Sequence, residues 1–345
     1  MEKRVGFCCK WIDHEGQING IPEGAAARAL STRGTTLTWM NANKAKHQAD
    51  IKLKSIVEHN LKSVELLVER VGQREPIYRM VRIGSDVLPF YTEPYWRTFY
   101  RKPGIVRILE DGFERIGKLA RQYGVRLSFH PGEFTVLASH RPDVVRRSID
   151  EMEYHGDMIH MMGYGRDFQD IKMNVHIAGQ LGAQGIIDII PHLTPIVQNT
   201  MTIENSETNW GIEESLKLVD HCALVLDIHH HWVKTGEFIQ PDDPRVSRIV
   251  DSWRGARRPV IHFSSPREDV LVDHNPDVLP DHAALIAMDG MNRMKLRSHS
   301  DYFWNNRLNE WAWTFSDQFD IQLECKAKNL AQVKFVENLL IPTGA

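Results

Sequence analysis

Short apolar runs alternate along this chain with longer stretches in which apolar residues recur every three or four positions. The runs are too short and too uniformly apolar for exposed helices and read as buried strands, whereas the recurring spacing is that of amphipathic helices. Strands are predicted at 4–8, 77–83, 125–129, 173–176, 201–204, 223–227, 259–264 and 320–324. Helices are predicted at 44–71, closing at Gly72, at 104–123, stopping at Gly124, and from Pro142 through Met162. A Pro-interrupted helical segment over 181–197, helices over 213–221, 244–253 and 300–315, and a last one ending at Leu340 complete the series. Repeated alternation of strand and helix predicts an α/β fold, a (β/α)8 TIM barrel of parallel strands joined by right-handed crossovers. A doubly wound sheet is the competing arrangement, but it would not place metal-ligand residues at the ends of nearly all strands. No repeat, low-complexity tract or linker-like shift divides the chain. Residues 1–345 are therefore read as one domain, with a long polar loop at 13–43 and an insertion at 265–297.

What stands at the strand ends gives the pattern its chemistry. The stretch ALVLDIHHHW (223–232) is a buried strand followed at once by an acid and three histidines. In a TIM barrel the carboxyl ends of the strands open into the βα loops, where catalytic groups gather. Equivalent positions carry Asp86, His130, His176, Glu204, Asp227, His230, His262 and Glu324, with His299 on the insertion side of the seventh strand. Imidazole plus carboxylate, without thiolate, suits zinc, manganese or iron. So many ligands exceed the needs of one tetrahedral ion, and two or three ions are expected. A carboxylate closing an apolar strand, as Glu204 does, has few ways other than a metal to offset its burial.

Composition narrows the class. The chain has 345 residues, 42% of them hydrophobic and 25% charged, which is ample for a large core. The start MEKR runs directly into a strand-like VGFC, and no apolar stretch reaches the roughly 18 residues of a membrane span, so a cytoplasmic protein without membrane association is expected. Four cysteines lack CxxC spacing and read as reduced core thiols, against 17 histidines. A net charge of −3 means that any nucleic-acid contact rests on local basic clusters. Arg33 and Lys44 in the first loop, Arg141, and Arg293, Lys295 and Arg297 in the insertion are the candidates for phosphate contact. Trp39, Tyr91, Tyr95, Trp96, Phe99 and Tyr100 add aromatics able to stack on bases.

The segments RIGSDVLPF (82–90), LSFHPGEF (127–134), VHIAG (175–179), IENSE (203–207), LDIHHH (226–231), VIHFSS (260–265), HSDY (299–302) and LECK (323–326) resemble, in order and over nearly the whole chain, the UV damage endonucleases. These are metal-dependent TIM-barrel DNA repair nucleases. The resemblance implies hydrolytic incision of damaged double-stranded DNA on the 5′ side of a lesion, leaving a 3′ hydroxyl, as the first step of an excision repair. It implies that His130, His176, Glu204, Asp227, His230, His262, His299 and Glu324 hold manganese-type ions, with zinc as the alternative, and that the carboxylates of Glu204, Asp227 and Glu324 serve catalysis. Phe7, Glu133, Phe134, Arg33, Lys44 and Arg297 are the residues expected at the DNA and its lesion, in a protein expected to act as a monomer. Three positions depart from the family pattern. Glu133 and Phe134 replace the Gln-Tyr pair that pushes into the duplex, Val260 replaces a lysine that helps bridge the metals, and Phe7 replaces a common tyrosine.

Three other functions compete. An apurinic-site endonuclease could use the same cage. A xylose-isomerase-like sugar isomerase or epimerase keeps similar ligands but has no need of the long first loop or basic insertion. A non-catalytic DNA-binding protein would fit the missing lysine, but not the intact Glu204, Asp227 and Glu324.

Overall fold

The computed structural model describes residues 2–14 and 24–340. Its centre is a closed barrel of eight parallel strands in sequence order: β1 (Val5–Cys8), β2 (Met80–Ile83), β3 (Arg126–Phe129), β4 (Lys172–His176), β5 (Met201–Glu204), β6 (Ala223–Asp227), β7 (Val260–Phe263) and β8 (Asp320–Leu323), with β8 pairing back onto β1. Helices intervene between strands all the way round, so the expected TIM barrel is the architecture found.

Two-residue alternation sorts each strand between two environments. Phe7, Val81, Met173, Ile203, Leu224, Ile261 and Ile321 face outward, fully buried against the surrounding helices. The inward positions are unusually polar for a barrel of this kind, whose interior is ordinarily dominated by bulky branched residues. Arg82, Ser128, Lys172, Asn174, Thr202, Glu204, His262, Asp320, Gln322 and Glu324 fill much of the lumen through hydrogen bonds and ion pairs, among them Thr202 Oγ1 donating to Asn174 Oδ1 at 2.8 Å and Arg126 to Asp320 at 2.5 Å. Apolar packing inside the barrel is confined to a small cluster of Met80, Ala223, Val225 and Val260 with Trp253 beneath. Gly6 is required on β1 because a Cβ there would stand 2.6 Å from Met80 Cγ.

Two local predictions change. The segment 13–43, read as a loop, contains the helices Gly24–Ala29 and Leu37–Asn43; part of it, 15–23, lies outside the described residues. The second helix is capped by Thr36, whose Oγ1 accepts from Trp39 N at 3.2 Å, and it buries Met40. The three histidines after β6, for which no helix is predicted from the sequence, lie on one, Ile228–Thr235, with Asp227 as its N-cap and Gly236, at φ 81°, as the left-handed terminator. The insertion folds as helices His282–Ala287 and Arg293–Leu296 and is anchored by a bridge between Pro266 and His299.

Around the barrel the helices pack closely, and Gly117 on the helix Pro103–Tyr123 marks one tight contact: a Cβ there would lie 1.9 Å from the Met162 carbonyl oxygen. Gly117→Ala must displace backbone and should cost about 1–3 kcal/mol. Gly104→Ala on the same helix meets nothing within 4 Å and should leave stability unchanged or raise it by up to about 1 kcal/mol. Urea unfolding of the two variants side by side tests the contact; equal midpoints would refute it.

Candidate metal centre

The carboxyl ends of the strands converge on Glu204, which closes β5 and is fully buried. Strand pairing sets His176 beside Glu204 and Asp227 beside His262. Glu204 Oε2 lies 3.6 Å from His130 Nε2, 3.5 Å from His176 Nε2 and 3.1 Å from His262 Nδ1, while Oε1 lies 3.5 Å from His230 Nδ1. Four histidines from four different strand ends therefore surround one carboxylate. Asp227 Oδ1 accepts from the His230 backbone N–H at 2.6 Å, and Glu324 lies 3.3 Å from His262 Nδ1 and pairs with Arg82.

Neighbouring groups fix how these ligand residues point. His130 Nδ1 meets the Pro131 carbonyl oxygen at 2.9 Å, which holds the ring with Nε2 facing Glu204. Asn174 donates to Glu204 Oε2, and Asn205 bridges β5 and β6 by bonding the Asp227 backbone at both N–H and C=O, each at 2.9 Å. Of the three consecutive histidines only His230 faces Glu204. Successive helical residues diverge by about 100°. His229 accordingly stacks on Trp232, and His231 Nε2 bonds Glu237 at 2.8 Å.

Among the described residues three groupings bring ligand atoms within 4.8 Å of one another: His130, His176 and Glu204; Glu204, Asp227 and His230; and Asp227, His262 and Glu324. Glu204 and Asp227 each belong to two groupings, which is how bridging carboxylates would sit. The buried Glu204 Oε1, Asp227 Oδ2 and His262 Nδ1 have no hydrogen-bond partner. Burial opposes ionisation of Glu204, but the imidazoles of His262 and His176 and the hydrogen bond from His130 outweigh it and hold the carboxyl well below its ordinary range. Asp227 goes the other way: burial, then the charges of Glu204 and Glu324, push it well above. Glu324 behaves like Glu204, with Arg82 and His262 holding it low against its burial, so of the three acids Asp227 is the one short of positive charge. A metal ion held by these clustered nitrogen and oxygen donors would supply that charge and the missing partners together.

Seven of the eight ligands proposed from the sequence stand in these groupings; His299 is outside them, although it lines the same cavity of about 430 Å³ with His130, His230, Arg297 and Glu324. Asp86 is exposed and bonds Thr32 at 2.9 Å, tying the first loop to the second strand's loop rather than joining the cage. Phe7 does not reach the mouth. It points outward from β1, fully buried against the helical layer with Trp11, because Gly6 and Cys8 take the inward positions; its assignment to the DNA is corrected on that ground. Glu133 lines the cavity, and Phe134, 95% exposed, lines the adjoining one with Phe90, Arg146 and Arg147. Arg297 pairs with Glu207 at 3.2 Å, and Glu207 in turn lies 3.5 Å from His230 Nε2. Lys44 covers the Tyr95 ring at 4.8 Å, and Arg33 and Arg141 are exposed. Trp96, Phe99 and Tyr100 are buried packing residues.

Four contributors escape a reading confined to strand ends: Arg82, Lys172, Asn174 and Glu207. Lys172 Nζ lies 2.7 Å from His262 Nε2. A lysine therefore adjoins the seventh-strand histidine after all, delivered by β4, while Val260 packs among apolar groups below. The available signal was parity, since Lys172 and Asn174 stand four and two residues before His176 and so share its face.

A match to the family described as UV-endonuclease UvdE spans residues 23–342. The UV DNA damage endonuclease of Bacillus cereus strain G9842 is 24% identical over 317 residues, covering 88% of each chain. That of Bacillus velezensis is 26% identical over 323 residues, with the same 88% coverage of both. The crystal structure of SacUVDE superposes with a TM-score of 0.67 at 20% identity over 98% of both chains, and that of endonuclease IV from Thermus thermophilus with 0.50 at 11% over 97% of this chain and 96% of the other; these two speak to the fold.

Burial holds the buried imidazoles of His155, His262 and His299 at pKa values pushed down to about 4, well below an unfolded histidine near 6.5. Each binds fewer protons folded than unfolded in that interval, so its stabilising effect is present above about 6.5 and is lost as pH falls toward about 4. His176, raised by Glu204 against its burial, opposes this only in part. Chelator-treated protein should therefore show a steadily falling urea midpoint from pH 7 to pH 5; a flat profile would contradict the neutral, buried histidines.

Proposed function

This chain belongs to the UV-endonuclease UvdE family, a DNA repair endonuclease family, and on that basis we propose that it nicks damaged duplex DNA hydrolytically on the 5′ side of the lesion with the aid of two or three divalent ions. The observation that carries the metal-dependent part is Glu204, a buried carboxylate ringed by four histidines with Oε1 left unbonded. His130, His176, Glu204, Asp227, His230, His262 and Glu324 would hold the ions, with His299 beside them. When bound, such ions supply an activated water and neutralise charge on the scissile phosphate.

The chain's own residues do the rest. Glu204 and Asp227, shared between groupings, would each serve two of the ions. The Pro131 carbonyl, Lys172, Asn174 and Asn205 hold ligand side chains in place, so little reorganisation remains for the chemical step. Arg297, which lines the cavity, and Lys44, which lies over the Tyr95 ring, are the cations assigned to phosphate contact. The turn His130–Gly132 delivers Glu133 and Phe134 beside a ligand residue, and Phe134, exposed almost completely, can enter a base step that a lesion has weakened. Glu133 in its ionised form offers only acceptors, so recognition by ease of unstacking outweighs hydrogen-bonded reading of a base. That property favours a broad lesion range, with abasic sites as the second substrate. Manganese is the preferred ion, and the protein acts as a cytoplasmic monomer on nucleoid DNA. No helix among the described residues is long and apolar enough to cross a membrane.

The test is Mn²⁺-dependent nicking of duplexes carrying a pyrimidine dimer, a 6-4 photoproduct, an abasic site or no lesion. Nicking should be lost with chelator, restored by Mn²⁺ and absent on intact duplex. Glu204→Gln should reduce it by more than about 100-fold, beyond the upper end of the cost of losing an outer partner of a ligand, while DNA affinity persists. Near-normal turnover in that variant would overturn the metal-cage reading.

Phe134→Ala should lose about 10- to 100-fold on damaged duplex, the worth of one stacked base. Glu133→Gln should bind DNA more tightly by removing a charge that repels phosphate. An undiminished Phe134→Ala enzyme, or a Glu133→Gln protein that binds more weakly, would refute the wedge.

A further inference from the structure

At the opposite end of the barrel from Glu204 lies a second cavity of about 430 Å³, walled by the starts of β3 and β4 and by the segments that lead into β1 and β7. Six cations line it: Arg4, Arg121, Arg126, Lys172, Arg257 and Arg258. In a protein of net charge −3 this is a pronounced local excess of positive charge. We infer that this cavity binds a dianionic phosphate, either free inorganic phosphate or the phosphate of a mononucleotide.

Too little negative charge lies nearby to answer these cations. Asp320, fully buried at the start of β8, is the central carboxylate. It accepts from the Arg4 backbone N–H at 2.8 Å and from Arg126 at 2.5 Å, and lies 3.1 Å from Arg258 Nε. One charge therefore serves two guanidinium groups. Asp170 is committed to the backbone N–H of Gly165, at 2.8 and 3.0 Å, and Glu2 stands at the exposed rim. Among the described residues Arg4 and Arg257 are left with no carboxylate: Arg4 Nε is buried without a hydrogen-bond partner, and Arg257 donates to the carbonyl of its neighbour Ala256 at 2.9 Å. For Arg4, guanidinium charge taken out of water without a counter-charge is costly, and Arg257 beside it is an exposed guanidinium free to turn inward; a phosphate dianion answers both because its oxygens match the paired N–H groups of arginine. The volume falls in the range of small-ligand sites, roughly 300–1,000 Å³, which admits a mononucleotide as readily as the bare ion. Lys172 is shared with the metal centre, where its amine meets His262, but the arginines are not, and the inference does not depend on the endonuclease reading.

Isothermal titration calorimetry on the full chain loaded with Mg²⁺, using inorganic phosphate and deoxyadenosine 5′-monophosphate, tests it. Saturable one-to-one binding is expected, weakened about tenfold by Arg257→Ala and again by Arg4→Ala, the effect of removing one charge-assisted contact. Arg257 is exposed and makes no core contact, so its variant should keep the unaltered thermal midpoint, and Arg257→Lys should recover part of the affinity. Tighter binding of the nucleotide would identify a phosphate monoester as the ligand, and equal or exclusive binding of inorganic phosphate the free ion; either supports the site. Absence of saturable binding of both, affinity unaltered in both arginine variants, or affinity lost in Glu204→Gln, which would place the phosphate on the metals, would overturn it.

Discussion

The burial of one carboxylate organises this molecule. Glu204 sits at the end of a central strand with no access to water, so its charge must be met by what the other strands bring. β3, β4 and β7, with the helix after β6, each contribute an imidazole, and β4 adds the Asn174 amide. Because those groups come from separate segments around the barrel, the charge of Glu204 is satisfied only when the barrel is closed in its proper strand order. Fold and site are in this sense one construction. The same economy explains Asp227, which is at once the last residue of a strand, the cap of the following helix and a ligand candidate.

Much of this was legible in the sequence because barrel strands announce themselves as brief apolar runs and their carboxyl ends are fixed by the residue that breaks the run. The strands and their order followed from that, as did the convergence of His130, His176, Glu204, Asp227, His230, His262 and Glu324. What remained hidden has two physical causes. Periodicity reports environment, and a hydrogen-bonded polar residue inside a barrel looks like an interruption; Lys172 and Asn174 were passed over for that reason. Position along the chain, moreover, does not report which way a strand residue faces. Phe7 illustrates this, because only the close approach of Gly6 to Met80 settles that Phe7 looks outward. Short helices inside the first loop were missed because capping by Thr36 and one buried Met40 carry too little pattern to stand out from a polar, glycine-rich stretch.

The two ends of the barrel carry opposite electrostatic problems. At the mouth, Glu204, Asp227 and Glu324 crowd acidic charge into a dry space, and Asp227 is kept from ionising by its burial and its neighbours. At the floor, Arg126 and Arg258 crowd the reverse charge around Asp320, and Arg4 and Arg257 add more beside it. Lys172 spans the distance between them, lining the lower cavity while its amine touches His262. Neither excess is neutralised by the other because the barrel wall and its polar middle layer intervene. Each end therefore calls for its own external counter-ion, cations above and an anion below.

A polar lumen also bears on how faithfully the barrel assembles. In an apolar barrel a strand that slips by one position exchanges one hydrophobic residue for another and loses packing alone. Here such a slip on β4 would turn Lys172, Asn174 and His176 into the helical layer and bring Met173 and Val175 against Glu204. The misaligned barrel would hold a bare lysine among Phe and Leu side chains and a carboxylate facing thioether and methyl groups, a far steeper penalty than lost contacts. The polar lumen residues thus act as alignment marks that set the true register apart from its neighbours by charge as well as by packing.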